Sequence, residues 1–283
     1  MEFALNETQK LFKNTAQKVF REKCTITNLK EMEETEGGHS PELYKYIAEL
    51  GFLGLIIPEE YGGVGGDLLD LALVVEEAGW AALSGPFIST LSYGVLPLLK
   101  YGTEEQKNEL LPKIASGEVI ITAAFSEAQA HYNMEYVCTS AVDNQKEGYS
   151  LSGTKLFVPH ANSADYILTL ARTGKEKGKD GLSLFIIDSN LPGIQISSMP
   201  SIGSDTLYEV EFNAVNVDKS AILAAAGEGY KATKNIIQHA TALQAIEMSG
   251  ILQRAVDVTN EYVKERMQFG RAIGTFQAVQ HRL

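Results

Sequence analysis

The chain has 283 residues, of which 45% are hydrophobic, and a formal net charge of -12 at pH 7. This length allows two or three domains with a large buried core. The acidic balance argues against a nucleic-acid-binding surface, which would need clustered Lys and Arg.

The two cysteines, Cys24 and Cys138, make neither a disulfide framework nor a zinc-ligand spacing. The first residues show no basic segment followed by an apolar run, so no secretory signal is visible. No apolar stretch reaches membrane-spanning length. We therefore expect a cytoplasmic protein without a membrane span or a metal site.

Residues 1–118 are predicted to form a helical domain. Apolar residues recur at helical spacing, for example at Leu43 and Ile47. Ser40 is expected to cap a helix that has Pro41 in its first turn. Thr103 begins a capping-box pattern with Gln106, which predicts the start of a further helix.

The segment from Ile57 to Asp67 contains four glycines between predicted helices. It lacks the lysine of a phosphate-binding loop, and it has no Rossmann strand-to-helix spacing. We therefore expect a turn in which glycines let the backbone pack tightly.

Residues 119–220 are predicted to form an antiparallel β-domain. Short β-prone runs alternate there with clusters of Gly, Asp, Asn or Lys, which is typical of strands joined by turns. The clearest runs cover residues 119–124, 149–153, 166–171 and 182–187.

Residues 221–283 are predicted to be helical again. An apolar stripe continues from Ile236 to Tyr262, and an uninterrupted helix from Lys231 to Arg266 would be about 50 Å long at ~1.5 Å per residue. A helix of that length exceeds one domain, so we expect its stripe to pack against sister helices in an oligomer.

The last eighteen residues carry the most specific pattern. Arg266 precedes Gln268-Phe269-Gly270, and Ile273 and Phe276-Gln277 follow. This pattern closely resembles the signature of acyl-CoA dehydrogenases, and Pro58–Gly65 resembles a recurrent connector of the same family. The order of helical, β and helical segments also matches, so the resemblance covers nearly the whole chain.

The resemblance implies an α+β fold with an N-terminal helical domain, a middle antiparallel β-domain and a C-terminal helical bundle. Two helices that family members have after the Phe276-Gln277 helix are absent from this sequence. The implied activity is FAD-dependent oxidation of the Cα–Cβ bond of an acyl-CoA, with electrons passed to an electron-transfer flavoprotein.

Two segments resemble the flavin-binding motifs of the family. Phe125, Ser126 and Glu127 match the first half of one motif, whose second half has drifted to His131-Tyr132-Asn133. Phe157 and Val158 stand in the second motif, where an aromatic ring stacks on the flavin. The resemblance implies flavin contacts for Phe125, Ser126, Phe157 and Val158; a core position for Phe157 and a strand-end cap for Ser126 are the alternatives.

In the second motif Pro159 replaces a threonine. Proline offers neither the hydroxyl nor the backbone N–H that the family's threonine gives to the flavin.

Arg266 corresponds to a family arginine that reaches the flavin pyrophosphate of a neighbouring subunit, a contact that suits a guanidinium. Gln268, Phe269 and Gln277 are implied to complete this contact, and Arg271 is a second candidate for it. The alternative for Arg266 is a helix-end arginine that satisfies backbone carbonyls.

The sequence shows no catalytic base. In most of the family the glutamate lies in the missing C-terminal part, and in a minority it aligns with Ala240. Thr241 replaces a common family arginine, and Glu247 lies about two turns along the same helix face. We expect Glu247 to be a buried or interfacial carboxylate. His131 and His160 are assigned no metal or acid-base role.

Two other functions stay open. One is a non-catalytic partner subunit of a hetero-oligomeric acyl-CoA dehydrogenase, which the drifted motif, Pro159 and Ala240 favour. The other is a flavin monooxygenase or nitroalkane oxidase on the same scaffold, since fold alone does not set function.

Overall fold

The computed structural model describes residues 4–130, 133–145, 148–174, 178–203 and 206–283. His131 and Tyr132, in the drifted motif, lie outside these ranges. The predicted fold class is confirmed: helices come first, a β-sheet follows, and a long helix closes the chain.

The N-terminal region is helical up to Ala115. Its helices are α1 (Glu7–Lys23), α2 (Ile26–Glu33), α3 (Pro41–Glu49), α4 (Leu68–Trp80), α5 (Phe87–Thr90), α6 (Leu96–Tyr101) and α7 (Glu104–Ala115). Between α5 and α6 the chain widens into a π-helical segment, Leu91–Val95. Such segments are rare and occur often at functional sites.

Both predicted helix caps are confirmed. The Ser40 hydroxyl accepts a hydrogen bond from the Leu43 N–H at 3.1 Å. The Thr103 hydroxyl accepts one from the Gln106 N–H at 3.2 Å, and the Gln106 side chain accepts one from the Thr103 N–H at 3.0 Å. These bonds satisfy backbone donors that a helix start leaves unpaired.

The glycine-containing turn after α3 is also confirmed. Gly62 and Gly65 adopt φ angles of 78° and 73°, which favour glycine. A Cβ atom on Gly63 would lie 2.0 Å from the Ile57 carbonyl oxygen. The glycines therefore allow a close backbone approach.

Among the residues that the structure describes, the middle region forms an eight-stranded sheet. Its strands are β1 (Ile121–Ala124), β2 (Ser140–Asp143), β3 (Tyr149–Pro159), β4 (Tyr166–Arg172), β5 (Leu182–Asp188), β6 (Ile194–Met199), β7 (Leu207–Val217) and β8 (Ile222–Leu223). The order is β6-β7-β3-β2-β4-β5-β8, and β1 pairs with β4.

Most pairings are antiparallel, as predicted, but β4 runs parallel to both β1 and β2. All four residues of β1 are buried, and so are the five central residues of β4. Strands buried on both faces are typical of parallel pairing, and their continuous apolar runs do not reveal strand direction.

The sheet separates two apolar cores. Leu168 and Leu170 of β4 face the core shared with the helical region, whereas Ile167 and Ala171 face a core inside the β-domain. This alternation follows from the two-residue period of a strand. The helical region is thereby docked on one face of the sheet.

The long helix α8 covers Gly229–Glu265, 37 residues, close to the predicted span. It packs closely on α4, because a Cβ on Gly250 would lie 1.9 Å from the Glu76 carbonyl oxygen. A hairpin of β9 (Met267–Gln268) and β10 (Arg271–Ala272) and the short α9 (Gln277–Gln280) follow.

Across the described ranges, no helix has both the length and the apolar character that crossing a membrane requires. The same residues contain no group of three or more His, Cys, Asp or Glu side chains that fits a metal ion.

Candidate active site

The two predicted flavin motifs meet at the ends of β1 and β3. The Leu156 N–H donates a hydrogen bond to the Ser126 carbonyl at 3.0 Å. The Thr122 hydroxyl of β1 donates to the Pro159 carbonyl at 2.5 Å. We call Phe125, Ser126, Phe157, Val158 and Pro159 the strand-end ledge.

Phe157 has an unusual backbone conformation. Its φ angle is 58°, in a left-handed region that costs a bulky residue about 1–3 kcal/mol, and the β3–β7 register shifts between Lys155 and Val158. The residue is 48% exposed. A core position for Phe157, the alternative from sequence, is therefore wrong, and the strained bulge presents an aromatic surface.

The other ledge residues are more buried than Phe157. The Val158 side chain is buried in the β-domain core, and no part of the residue is exposed. Ser126 is half-buried. Phe125 is also half-buried, and its ring packs edge-on against Tyr93 of the π-helical segment, with centroids 5.9 Å apart.

A buried ion pair lies beneath the ledge. The Lys155 ammonium lies 2.7 Å from a Glu127 carboxylate oxygen and donates to the Leu170 carbonyl at 2.6 Å. Glu127 also accepts hydrogen bonds from the N–H groups of Cys138 and Thr139. Both strands of the ledge are thus joined to one polar cluster that burial keeps dry.

This pairing fixes the charge of Glu127. Burial acts to raise the pKa of Glu127, but the Lys155 ammonium and the hydrogen bonds that the carboxylate accepts bring the pKa below its ordinary value. Burial lowers the pKa of Lys155, against the opposing effect of the Glu127 charge. An ionised, fully engaged carboxylate is a poor general base.

An interdomain cavity of about 360 Å³ adjoins the ledge. Its walls come from the loop and short helix around residues 82–89, from Ser92 and Tyr93, and from Pro159 and His160. The face of α8 that closes it consists of Ala240, Gln244, Glu247 and Ile251. A larger cavity of about 780 Å³ lies among α1, α2 and α3 and includes no ledge residue.

Four further residues line this cavity without any motif in the sequence that marks them: Ser89, Ser92, Tyr93 and Gln244. The only signal in the sequence was a pair of serines within the apolar run after Pro86. Their place in the wall depends on the π-helical segment, which sequence periodicity does not predict.

His160 is held at the cavity wall. It is buried, adopts a φ angle of 52°, and shares a hydrogen bond between its Nδ1 and the Thr206 hydroxyl, 3.0 Å apart. This contact explains the side-chain orientation without an acid-base role.

The position for the minority type of catalytic base faces this cavity. Ala240 supplies only a methyl group there. The neighbouring Thr241 is exposed, and its hydroxyl donates to the Ile237 carbonyl of its own helix at 2.7 Å. Glu247 lines the cavity farther along α8, is half-buried and accepts a hydrogen bond from the Gln244 amide.

The remaining predicted flavin residues lie elsewhere. Arg266 caps the end of α8, fifteen residues after Ile251, which is about 22 Å along the helix at ~1.5 Å per residue. All members of this helix-end group are exposed: Arg266, Gln268, Phe269 and Gln277. The ledge and the helix-end group therefore do not form one continuous surface within a single chain.

The Arg266 side chain makes no hydrogen bond or ion pair within the described part of the chain. Its backbone N–H donates to the Tyr262 carbonyl at 2.8 Å. The guanidinium is therefore not used to satisfy helix-end carbonyls. By contrast, the Arg271 guanidinium lies 4.2 Å from the centre of the Phe276 ring.

Family models of the N-terminal, middle and C-terminal domains of acyl-CoA dehydrogenase match residues 6–118, 122–215 and 227–283. The probable acyl-CoA dehydrogenase YngJ of Bacillus subtilis is 34% identical over 290 residues, covering 100% of this chain and 75% of YngJ. The chain belongs to the acyl-CoA dehydrogenase family. This result confirms the resemblance drawn from the motifs.

Solved structures of acyl-CoA dehydrogenase relatives agree. Butyryl-CoA dehydrogenase from Megasphaera elsdenii superposes with a TM-score of 0.92 at 28% identity, over 100% of this chain and 75% of that one. A chain in a structure of the electron transferring flavoprotein of Acidaminococcus fermentans superposes with a TM-score of 0.90 at 30% identity, over 99% of this chain and 74% of that one.

Acyl-CoA dehydrogenases are FAD-dependent oxidoreductases, which confirms the predicted enzyme class and cofactor. The residues present fit a flavin. Phe157, which is half-exposed, offers a ring for stacking, and the half-buried Ser126 offers a hydroxyl. Arg266 offers a guanidinium suited to phosphate oxygens.

Proposed function

We propose that this protein oxidises the Cα–Cβ bond of an acyl-CoA thioester with FAD and passes the electrons to an electron-transfer flavoprotein. The observation that carries the proposal is the interdomain cavity, which brings Pro159 of the strand-end ledge, the π-helical segment and one face of α8 around a single space. The likeness to butyryl-CoA dehydrogenase and to a chain in an electron transferring flavoprotein structure supports both halves of the proposal.

When bound, FAD supplies the acceptor for a hydride from the β-carbon. In this proposal Phe157 stacks on the flavin ring system and the Ser126 hydroxyl hydrogen-bonds to its polar edge. Val158 holds this part of β3 in the β-domain core, and Phe125 supports the opposite wall through Tyr93. The pyrophosphate is bound by the helix-end group of a neighbouring subunit, in which Gln268, Phe269 and Gln277 surround Arg266.

The α-proton needs a carboxylate base close to the reacting carbon. Ala240 does not provide one, and Glu127 is held ionised by Lys155. The base of the proposed reaction is therefore neither residue 240 nor Glu127.

The test is the visible absorbance spectrum of the purified FAD-loaded protein under anaerobic conditions, before and after a mixture of acyl-CoAs is added. The proposal expects the flavin band to bleach with acyl-CoA and not with free CoA, and the electrons to reach an added electron-transfer flavoprotein. A flavin band that no acyl-CoA bleaches, even with the protein's cognate partner present, would contradict the proposal.

A second candidate is a non-catalytic partner subunit that completes the flavin site of an unlike neighbour. Two observations favour it: the Ala240 methyl at a position for the base, and Pro159 at the cavity wall, which has no N–H to donate. Size-exclusion chromatography with activity measurement decides between the two. A fully active oligomer of this chain alone excludes the partner-subunit function.

A further inference from the structure

The interdomain cavity has a polar face that a plain alkyl chain does not use. Beside apolar side chains such as Leu83 and Ile88, it is lined by Ser89, Ser92, Gln244 and Glu247, among others. Binding pockets are mostly apolar, and the few polar groups in them fix orientation and specificity. None of the described lining residues is Lys or Arg.

Ser92 is the most unusual member of this face. It lies in the π-helical segment and is 1% exposed. Its hydroxyl is buried and has no hydrogen-bond partner within the described part of the chain. Buried hydroxyls are nearly always paired, because leaving one unpaired costs stability. A ligand group beside Ser92 would supply the missing partner.

Gln244 and Glu247 act as a pair. The Gln244 amide NH₂ donates a hydrogen bond to the Glu247 carboxylate, which orients the amide and leaves its carbonyl oxygen as an acceptor. An ionised carboxylate is also acceptor-only. This part of the wall therefore presents mainly acceptors, and the ligand that suits it carries a donor.

The pair lies away from the ledge along α8. The start of α8 packs on the β-domain, since a Cβ on Gly229 would lie 2.6 Å from the Leu182 carbonyl. Farther along, the Glu247 carbonyl approaches Gly79 of α4, at 2.1 Å from an added Cβ. Glu247 is also seven residues beyond Ala240, about 10 Å along the axis. Reacting carbons held against the ledge in the β-domain thus leave the far end of the acyl group near Glu247.

We infer that the acyl group of the substrate carries a hydrogen-bond donor, a hydroxyl or a protonated amine, on a carbon remote from the thioester, and that Ser92, Gln244 and Glu247 recognise it. This inference rests on the proposed function. Of the two donors the amine is favoured, because a charge-assisted hydrogen bond to a carboxylate is stronger than a neutral one.

The test compares three CoA thioesters of equal chain length: hexanoyl-CoA, ω-hydroxyhexanoyl-CoA and ω-aminohexanoyl-CoA. Binding to the FAD-loaded protein is measured by isothermal titration calorimetry, and flavin bleaching is recorded in parallel. Both substituted thioesters are expected to bind about tenfold or more tightly than hexanoyl-CoA. Glu247→Gln should abolish most of the preference for the amine.

Two further variants separate recognition from folding. Glu261→Gln changes an exposed carboxylate on the same helix outside the cavity and should leave all three affinities unchanged. Ser92→Ala should weaken binding of both substituted thioesters without lowering the thermal unfolding temperature, because the hydroxyl has no partner to lose.

Three results overturn the inference. Equal or tighter binding of hexanoyl-CoA overturns it, and the proposed function survives if that thioester bleaches the flavin. Loss of bleaching with all three thioesters in Glu247→Gln, at unchanged affinity, would make Glu247 the catalytic base instead. Failure of every thioester to bind overturns the inference together with the proposed function.

Discussion

The strand-end ledge and the helix-end group differ in how firmly contacts within this chain hold them in place. The ledge is held by the buried Glu127–Lys155 ion pair, by the pairing of β3 with β7, and by the edge-on contact of Phe125 with Tyr93. The helix-end group is exposed, and its Phe269 is 90% accessible. Phe157 and Phe269 illustrate the difference, since both have positive φ angles. Phe157 lies in β3, which pairs with β7, whereas Phe269 lies in the turn of the β9–β10 hairpin and packs edge-on against Phe276.

This difference indicates which residues of the proposed flavin site a single chain holds in position without a neighbour. The ledge is held in place before any ligand binds, so its contribution to binding is preorganised. The helix-end group is exposed, although the Phe269 ring packs edge-on against Phe276 with centroids 6.1 Å apart. An exposed face of α8 leads up to it, with Met248, Leu252, Val256 and Tyr262. We therefore propose that the helix-end group acts on a neighbouring subunit.

Lys155→Met is expected to have the largest effect, because it leaves the buried Glu127 carboxylate without its partner. Such a loss typically costs about 3–5 kcal/mol in the free energy of unfolding. Denaturant unfolding measures it. The matched control is Lys264→Met, which removes an exposed lysine near the helix-end group and should change stability by no more than about 0.5 kcal/mol. Equal effects of the two variants would contradict the contrast between the regions.

Arg266→Ala is expected to act on cofactor binding and not on stability. Loss of a charge-assisted contact with phosphate oxygens costs about 1.5–3 kcal/mol, or roughly ten- to a hundredfold in the Kd for FAD. Fluorescence titration with FAD gives the Kd, and Arg282→Ala, at another exposed arginine, serves as the control. An unchanged Kd for FAD in Arg266→Ala would remove this residue from the site.

Phe157→Gly and Phe269→Gly form a matched pair, since glycine adopts both backbone conformations without strain. Loss of the Phe157 ring should weaken FAD binding up to about tenfold, because an aromatic stacking contact is worth about 0.5–1.5 kcal/mol. For Phe269 the effect should appear only at protein concentrations where the oligomer persists. FAD titrations at several protein concentrations test this, and identical concentration dependence of the two variants would argue against it.

The smallest expected effect is on pH dependence. Burial acts to raise the pKa of Glu127, but Lys155 and the hydrogen bonds to the carboxylate lower it below the ordinary 4.5. A lowered folded-state pKa gives stability that is present above 4.5 and is lost as the pH falls through the folded-state value. Urea unfolding at several acidic pH values should show this loss. The double variant Glu127→Gln with Lys155→Met should lack that part of the pH dependence; an unchanged curve would contradict the assigned ionisation.

Local signals in the sequence predicted the local structure well. The caps at Ser40 and Thr103, the tight glycine turn and the interior of α8 depend on neighbours within a few residues. The start of α8 differs from the predicted Lys231 because Gly229 packs against Leu182, a contact that periodicity does not contain.

The features that shape the site depend on distant contacts and were not predicted. The Glu127–Lys155 pair joins residues 28 positions apart, and the positive φ angle of Phe157 arises from a register shift against β7. The parallel pairing of β1 with β4 and the π-helical segment around Ser92 have the same origin. In each case the sequence supplied the residue types, while the sheet and the docked helices determine which of them meet.

The most direct test of the central claim is complementation between Phe157→Gly and Arg266→Ala chains. In a mixed oligomer, the Arg266→Ala chain supplies an intact ledge and a neighbouring Phe157→Gly chain supplies an intact Arg266. Some of the sites between chains therefore contain both native residues. Co-expression is expected to yield sites that bind FAD more tightly than either variant does when it is purified alone. If the mixture binds no more FAD than the two variants separately, Arg266 does not act on a neighbouring subunit's site.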